Sequence, residues 1–195
     1  MSKVIIIDYG AGNVKSVKFA CERLGLAATL SNDAEVIASA DKLIFPGQGE
    51  ASSSMKSLEK YGLVEVIKNA KQPFLGICLG MQMMCEYLEE NDTKGLGLFP
   101  LSVKLFPDKG LKVPHMGWNE IEQLKTPLMK GLKEKEYMYF VHSYYVPHSE
   151  WTIAQANYPE PFSAALHKDN FYGCQFHPEK SGDFGQQILK NFIEL

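Results

Sequence analysis

Residues 73–80 read Pro-Phe-Leu-Gly-Ile-Cys-Leu-Gly, an apolar run that ends at a cysteine flanked by Gly76 and Gly80. A short apolar run bounded by turn formers is the pattern of a strand buried on both faces, as in parallel sheets. The spacing predicts a strand over Pro73–Ile77 and a helix from Leu79 to about Glu90, with Cys85 at core spacing on it. The same unit recurs upstream. Val4-Ile5-Ile6-Ile7 is a strand closed by Asp8-Tyr9-Gly10, and from Asn13 the residues Val14, Val17, Ala20, Cys21 and Leu24 recur at helical spacing until Gly25. Ala27–Leu30 reads as a strand, Asp33 as the cap of a short helix through Ala40, Lys42–Phe45 as a third strand, and Met55–Ala70 as a helix interrupted at Gly62. Strands alternating with helices predict a three-layer α/β fold: a mostly parallel sheet flanked by helices, joined by right-handed crossovers.

After Asn91 the texture changes. Asn119–Leu124, Tyr137–Tyr144, Trp151–Ala156, Ala164–His167 and Phe171–Phe176 are strand-like runs with short turns between them, which predicts an antiparallel extension of the sheet within the same domain, 1–195. Ser181 or Asp183 opens a last amphipathic helix carrying Phe184, Ile188, Leu189, Phe192 and Ile193.

Composition narrows the function classes. A chain of 195 residues, 45% hydrophobic, suits one globular domain that buries roughly 70% of its unfolded surface. The net charge is −3 and Arg23 is the sole arginine, so the planar grip on phosphate that nucleic-acid binding uses is missing. Nucleic acid is not expected as a partner. Cys21, Cys78, Cys85 and Cys174 are too few and too scattered for a disulfide scaffold and form no CxxC pair for zinc, and no metal or cofactor is expected. The apolar run at the N-terminus is far shorter than a signal or membrane segment, so a cytoplasmic protein with reduced thiols is expected, with no membrane role.

The chemistry is expected at Gly76-Ile77-Cys78-Leu79-Gly80. A strand-to-helix turn there has the form of a nucleophile elbow, with cysteine where hydrolases often carry serine, and the helix N-terminus beneath the sulfur favours thiolate. Taken alone, the motif is equally an ordinary buried cysteine at a turn. The second signal is His177-Pro178-Glu179 at the end of a strand. In an extended segment residues i and i+2 share a side, so Glu179 can orient His177 while His177 faces a thiol from elsewhere in the sheet. Together the two segments favour a Cys78-His177-Glu179 constellation. Phe45-Pro46-Gly47-Gln48-Gly49 is the third, where the Gln48 and Leu79 amides can together form an oxyanion hole, although by itself it reads as a glycine turn. Gly10-Ala11-Gly12-Asn13-Val14-Lys15 has lysine where a dinucleotide fingerprint needs its third glycine, which argues against NAD.

PGQG at 46–49, GICLGMQ at 76–82 and QFHPEKS at 175–181 stand in the order found in class I, triad-type glutamine amidotransferases, which the whole chain resembles. IDYGAGN at 7–13, PHMGWN at 114–119 and YFVHSY at 139–144 are similar to the glutaminase subunits of imidazole glycerol phosphate synthases within that class. The resemblance implies a flavodoxin-like core and a Cys78 that attacks the side-chain amide of L-glutamine, with His177 moving the proton and Glu179 holding His177. It places Gly47, Gly49, Gln82, Glu90, Ser143 and Tyr144 around bound glutamine, with Glu90 suited to the ammonium group. Read without it, Gln82 and Glu90 are solvated helix positions and Ser143 and Tyr144 plain strand residues.

The resemblance further implies a (β/α)8-barrel cyclase partner. That partner receives ammonia through an internal tunnel and uses it to turn a phosphoribulosyl formimino ribonucleotide into imidazole glycerol phosphate and an aminoimidazole carboxamide ribotide. Asn13, Trp118 and Lys180 are expected toward that interface. The scarcity of arginine fits this division of labour, since the partner would hold the phosphates. One residue departs from the family pattern: Gln48 stands where a small apolar residue, commonly valine, is usual, and is expected to retune activation by the partner. A paralogous amidotransferase feeding another synthase, such as a sugar-amidating enzyme, shares the triad and stays open. A non-catalytic subunit of the same fold is disfavoured by the intact Cys78, His177 and Glu179.

Overall fold

The computed structural model describes residues 3–195. The strands are β1 Val4–Ile7, β2 Ala28–Ser31, β3 Lys42–Gly47, β4 Phe74–Cys78, β5 Cys85–Leu88, β6 Thr93–Lys94, β7 Phe99–Leu105, β8 His115–Ile121, β9 Glu136–His142, β10 Tyr144–Tyr145, β11 Thr152–Asn157, β12 Pro161–Lys168 and β13 Phe171–Cys174. The helices are α1 Val14–Arg23, α2 Ala34–Ala38, α3 Ala51–Lys60, α4 Leu63–Lys68, α5 Leu79–Met83 and α6 Gly182–Glu194. A seven-stranded sheet in the order β11-β12-β13-β4-β3-β1-β2 forms the middle layer. From β2 to β13 its strands pair in parallel, and β12 and β11 continue it by antiparallel pairing.

Both faces of the sheet are buried along β1, β3 and β4, which is why those strands are largely apolar runs, while edge strand β2 is partly exposed. Along β1, Val4 and Ile6 join the core shared with α1 and α6, while Ile5 and Ile7 join the core beneath α2 to α5. Each such side chain taken from water contributes about 1.5–3 kcal/mol. Local signals also bound the helices where expected. Asn13 caps α1 by accepting the Ser16 N–H, Asp33 caps α2 by accepting those of Glu35 and Val36, and Gly62 breaks α3 from α4 with φ of +66°.

Several boundaries differ from the expectation. The helix expected over Leu79–Glu90 ends at Met83, and Cys85–Leu88 is β5 of a separate four-stranded sheet ordered β10-β7-β5-β6. The cause is non-local: the Leu96, Leu98 and Gly97 N–H groups bond to the Met83, Met84 and Cys85 carbonyls at 2.8, 2.9 and 3.0 Å. Gly95 permits that approach, because a Cβ there would lie 2.1 Å from the Cys85 carbonyl oxygen. Strand β7 was not anticipated, α3 begins at Ala51 rather than Met55, and β8 begins at His115 rather than Asn119. Only β11 to β13 extend the main sheet; β8 and β9 form their own antiparallel ribbon. No helix among the described residues is long and apolar enough to cross a membrane.

Candidate active site

The C-terminal ends of β3, β4 and β13 converge on one pocket. Gly47 of β3 is the register partner of Cys78 at the tip of β4. The backbones here touch: a Cβ on Gly80 would lie 1.9 Å from the Phe45 carbonyl oxygen, one on Gly47 2.4 Å from the Gly80 nitrogen, and one on Gly76 2.9 Å from the Gly80 carbonyl carbon. The three glycines therefore press α5 onto the sheet, and the chain turns between them at Cys78 with φ of 53° and ψ of −112°. A backbone held in such a sparsely populated conformation at a non-glycine residue costs about 1–3 kcal/mol, which the surrounding packing must offset. The helix after the cysteine spans only Leu79–Met83, so the field at the sulfur is that of a single turn of N–H groups.

His177 follows β13 and is held on both sides. Its N–H donates to the Tyr139 carbonyl at 2.9 Å, and its carbonyl accepts the Ser181 hydroxyl at 2.7 Å. Glu179 meets its ring, Oε1 to Nδ1 at 2.8 Å, with the two side chains 1% and 2% exposed. The pairing expected from an extended segment is made through a 3-10 turn over Pro178–Lys180 instead. His177 Nε2 has no hydrogen-bond partner among the described residues, and the ring borders the pocket together with Cys78. Burial alone pushes the imidazolium toward neutrality, but Cys78 and the Glu179 carboxylate outweigh it and raise its pKa to about 10. The remaining cysteines are free and buried away from the pocket. Desolvation holds them as thiols, Cys21 raised to about 11 and Cys85 and Cys174 further still.

The pocket measures about 410 Å³, within the range of small-molecule sites. Gln48, Gly49, Leu79, Gln82, Glu90, Ser143 and Tyr144 line it with Cys78 and His177. Gly47 lies behind this wall, against α5, and Glu179 lies behind His177. Glu90 Oε2 accepts the Ala51 N–H at the start of α3 at 2.7 Å. Burial raises the Glu90 pKa, the Ala51 N–H opposes that, and the Glu50 carboxylate adds to it. Pro114, Val141 and His142 also line the pocket, and Gln175 points its amide at the Cys78 sulfur, 3.8 Å away. Sequence reasoning assigned none of these four a role, although His142 lies in YFVHSY and Gln175 opens QFHPEKS.

Of the residues expected toward a partner, Trp118 and Lys180 meet on one ring. The Trp118 ring packs edge-on to Tyr139 at 5.9 Å, and Lys180 Nζ lies 5.9 Å from the centre of the same ring. Trp118 and its strand neighbour Met116 are 55% and 64% exposed. Asn13 sits at the cap of α1. Its neighbour Gly12 abuts the Pro46–Gly47 peptide, where a Cβ would come within 3.2 Å of the Pro46 oxygen.

A cysteine on a glycine-walled elbow, faced by a carboxylate-held histidine above a three-layer sheet, defines the class. The chain matches the glutamine amidotransferase class-I family over residues 5–195 and belongs to it. It is 55% identical over 195 residues to the imidazole glycerol phosphate synthase subunit HisH of Bacteroides fragilis strain YCH46, covering 99% of this chain and 100% of that one. It is 52% identical over 192 residues to the subunit of the same name from Mannheimia succiniciproducens, covering 98% and 99%. Among solved structures, a crystal structure of a glutamine amidotransferase superposes with a TM-score of 0.77 at 20% identity, over 98% of this chain and 97% of that one.

Proposed function

We propose that this chain is the glutaminase subunit of an imidazole glycerol phosphate synthase, which releases ammonia from L-glutamine and passes it to a barrel cyclase in histidine biosynthesis. The observation that carries the reading is the unpartnered His177 Nε2 beside Cys78 in a pocket with a carboxylate, Glu90, among its walls. Full-length likeness to subunits of that name supports the choice among amidotransferases.

The chemistry follows from charge and geometry. The Cys78 thiolate adds to the side-chain carboxamide carbon of glutamine, and the carbonyl electron pair moves onto oxygen, where the Gln48 and Leu79 N–H groups stabilise it. The raised pKa of His177 means that its ring carries the proton needed by the leaving nitrogen. The C–N bond breaks, ammonia departs, and a thioester remains on Cys78. Water then adds to the thioester while His177 takes a proton from it, and glutamate leaves as the thiolate and imidazolium are restored. Glu179 fixes the ring so that Nε2, and not Nδ1, faces the reacting atoms. Glu90 is the carboxylate for the glutamine ammonium group, an ion pair that offsets the cost of its own burial.

Asn13, Trp118 and Lys180 are assigned to the cyclase interface, with exposed Met116 beside Trp118 adding apolar area. Four unpaired cysteines suit a cytoplasmic setting. The test is reconstitution with the cyclase and its ribonucleotide. Cys78→Ser is expected to abolish synthesis from glutamine and to leave synthesis from an ammonium salt intact; retained glutamine turnover would overturn the nucleophile assignment.

A further inference from the structure

Beside the triad, polar side chains that it leaves unused join end to end. His115 of β8 and His142 of β9 are direct cross-strand partners, and His115 Nδ1 lies 3.1 Å from His142 Nε2. His142 Nδ1 is 2.7 Å from the Tyr144 carbonyl oxygen, which also accepts Gln82 Nε2 at 2.8 Å. Gln82 Nε2 reaches Gln175 Oε1 at 2.9 Å, and Gln175 Nε2 faces Cys78 Sγ at 3.8 Å. At the outer end, Asn119 Nδ2 lies 3.3 Å from His115 Nε2. The two histidines and two glutamines are all buried.

The sense of every link is determined. A carbonyl oxygen only accepts, so His142 Nδ1 carries its hydrogen. Burial keeps both rings neutral, lowering the pKa of His142 to about 3 and that of His115 to about 4. In a neutral ring the other nitrogen accepts, so His115 Nδ1 donates to His142, and His115 Nε2 accepts from Asn119. The Asn119 amide cannot be reversed, because its Nδ2 donates to the Asn157 carbonyl at 3.1 Å and its Oδ1 accepts the Glu120 N–H at 2.9 Å. By the same logic Gln82 presents Nε2 to the Tyr144 carbonyl, and Gln175 accepts with Oε1 and turns its own N–H toward the sulfur.

We propose that this network sets an N–H on the sulfur of Cys78: the Tyr144 carbonyl accepts from His142 on one side and from Gln82 on the other, and Gln82, so anchored, also donates to Gln175 Oε1 and leaves the Gln175 N–H turned to the sulfur. Gln175 is then a further group at the reacting atom, stabilising negative charge on it, and Gln82 and His142 are positioning residues, His142 acting through the Tyr144 carbonyl. This deepens the reading of Cys78 as nucleophile and rests on it.

The test is the rate of Cys78 alkylation by iodoacetamide at pH 7.5, measured beside glutamine turnover in the complex with cyclase. His142→Phe and Gln175→Met are each expected to slow alkylation by about three- to tenfold, the size of one lost hydrogen bond. His142→Asn is expected to stay within about twofold, because its Nδ2 occupies the place of the histidine Nδ1 and keeps an N–H on Tyr144. A packing role alone gives the opposite order. His142 sits among Phe106, Phe140 and Phe162, so phenylalanine would be tolerated and asparagine would leave a void. Alkylation of His142→Phe at the parent rate, or of His142→Asn as slow as His142→Phe, overturns the proposal. Nitrogen-15 spectra of the unaltered chain decide it without variants: both rings are expected as Nδ1–H tautomers at pH 7, and an Nε2–H tautomer or an imidazolium in either refutes it. Failure of the underlying reading is seen separately, as glutamine turnover by Cys78→Ser.

Discussion

His142 makes this protein's stability depend on pH in a way that can be worked out in advance. Unfolded, its ring takes up a proton near pH 6.5; folded, desolvation by burial delays that to about pH 3. The sign follows from which state binds more protons. Above pH 6.5 neither state is protonated and the contribution to stability is whole. Below it the unfolded state alone gains the proton, so stability falls by about 1.4 kcal/mol per pH unit until the folded ring titrates as well. Between pH 6.5 and pH 5 the loss is about 2 kcal/mol, a large share of the 5–15 kcal/mol typical of a domain. His142→Asn has no ring to protonate. Urea unfolding at pH 7.5, 6 and 5 should therefore give a stability gap between parent and variant that shifts by about 2 kcal/mol in favour of the variant as the pH falls. Groups that do not touch His142 titrate alike in both proteins and cancel, and repeating the comparison in a His115→Phe background removes the titrating ring bonded to it. Equal pH slopes would refute the reasoning, because they would mean that the native ring is solvated or already charged.

The elbow offers a steric test: Gly80→Ala puts a Cβ 1.9 Å from the Phe45 oxygen and is expected to cost about 3 kcal/mol or more in urea unfolding, with a cost under about 1 kcal/mol showing that α5 can lift off the sheet. For Glu90→Gln, steady-state kinetics in the cyclase complex should show the KM for glutamine raised about tenfold or more and kcat within about twofold, since the carboxylate binds ground and transition states alike; a selective fall in kcat would move Glu90 from binding to chemistry. Gln48→Val is expected to change the ratio of glutamine turnover with and without cyclase by about threefold or more, and equal ratios in parent and variant would leave Gln48 without a part in activation.

Strands β1, β3 and β4 were readable because a strand covered on both faces has an apolar residue at nearly every position, a pattern that needs no partner to be recognised. The segments that bring Cys78, His177 and Glu179 together were readable because each candidate sits beside local punctuation: glycines around Cys78 and a proline between His177 and Glu179. The segment after Cys78 was misread for the converse reason. Met81, Met84, Cys85 and Leu88 are buried at helical spacing, and the backbone of 95–98, bonded across to 83–86, turns Cys85–Leu88 into a strand. Strand β7 carries Pro100, which argues locally against a strand that lies between two others. The chain of polar side chains behind Cys78 had no local signature at all, because its members come from α5, β8, β9 and the end of β13 and meet only through the tertiary fold.

The place of β13 between β4 and β12 bears on how the molecule is made. During synthesis Cys78 leaves the ribosome about a hundred residues before His177, and until β13 follows, β4 is an open edge of the main sheet. An exposed parallel edge invites pairing with another chain, so the nascent protein is most prone to aggregation in that interval. Docking of β13 ends both conditions at once. It covers the edge, and by carrying His177 to the pocket that holds Cys78 it makes the completed sheet the event that assembles the proposed active site.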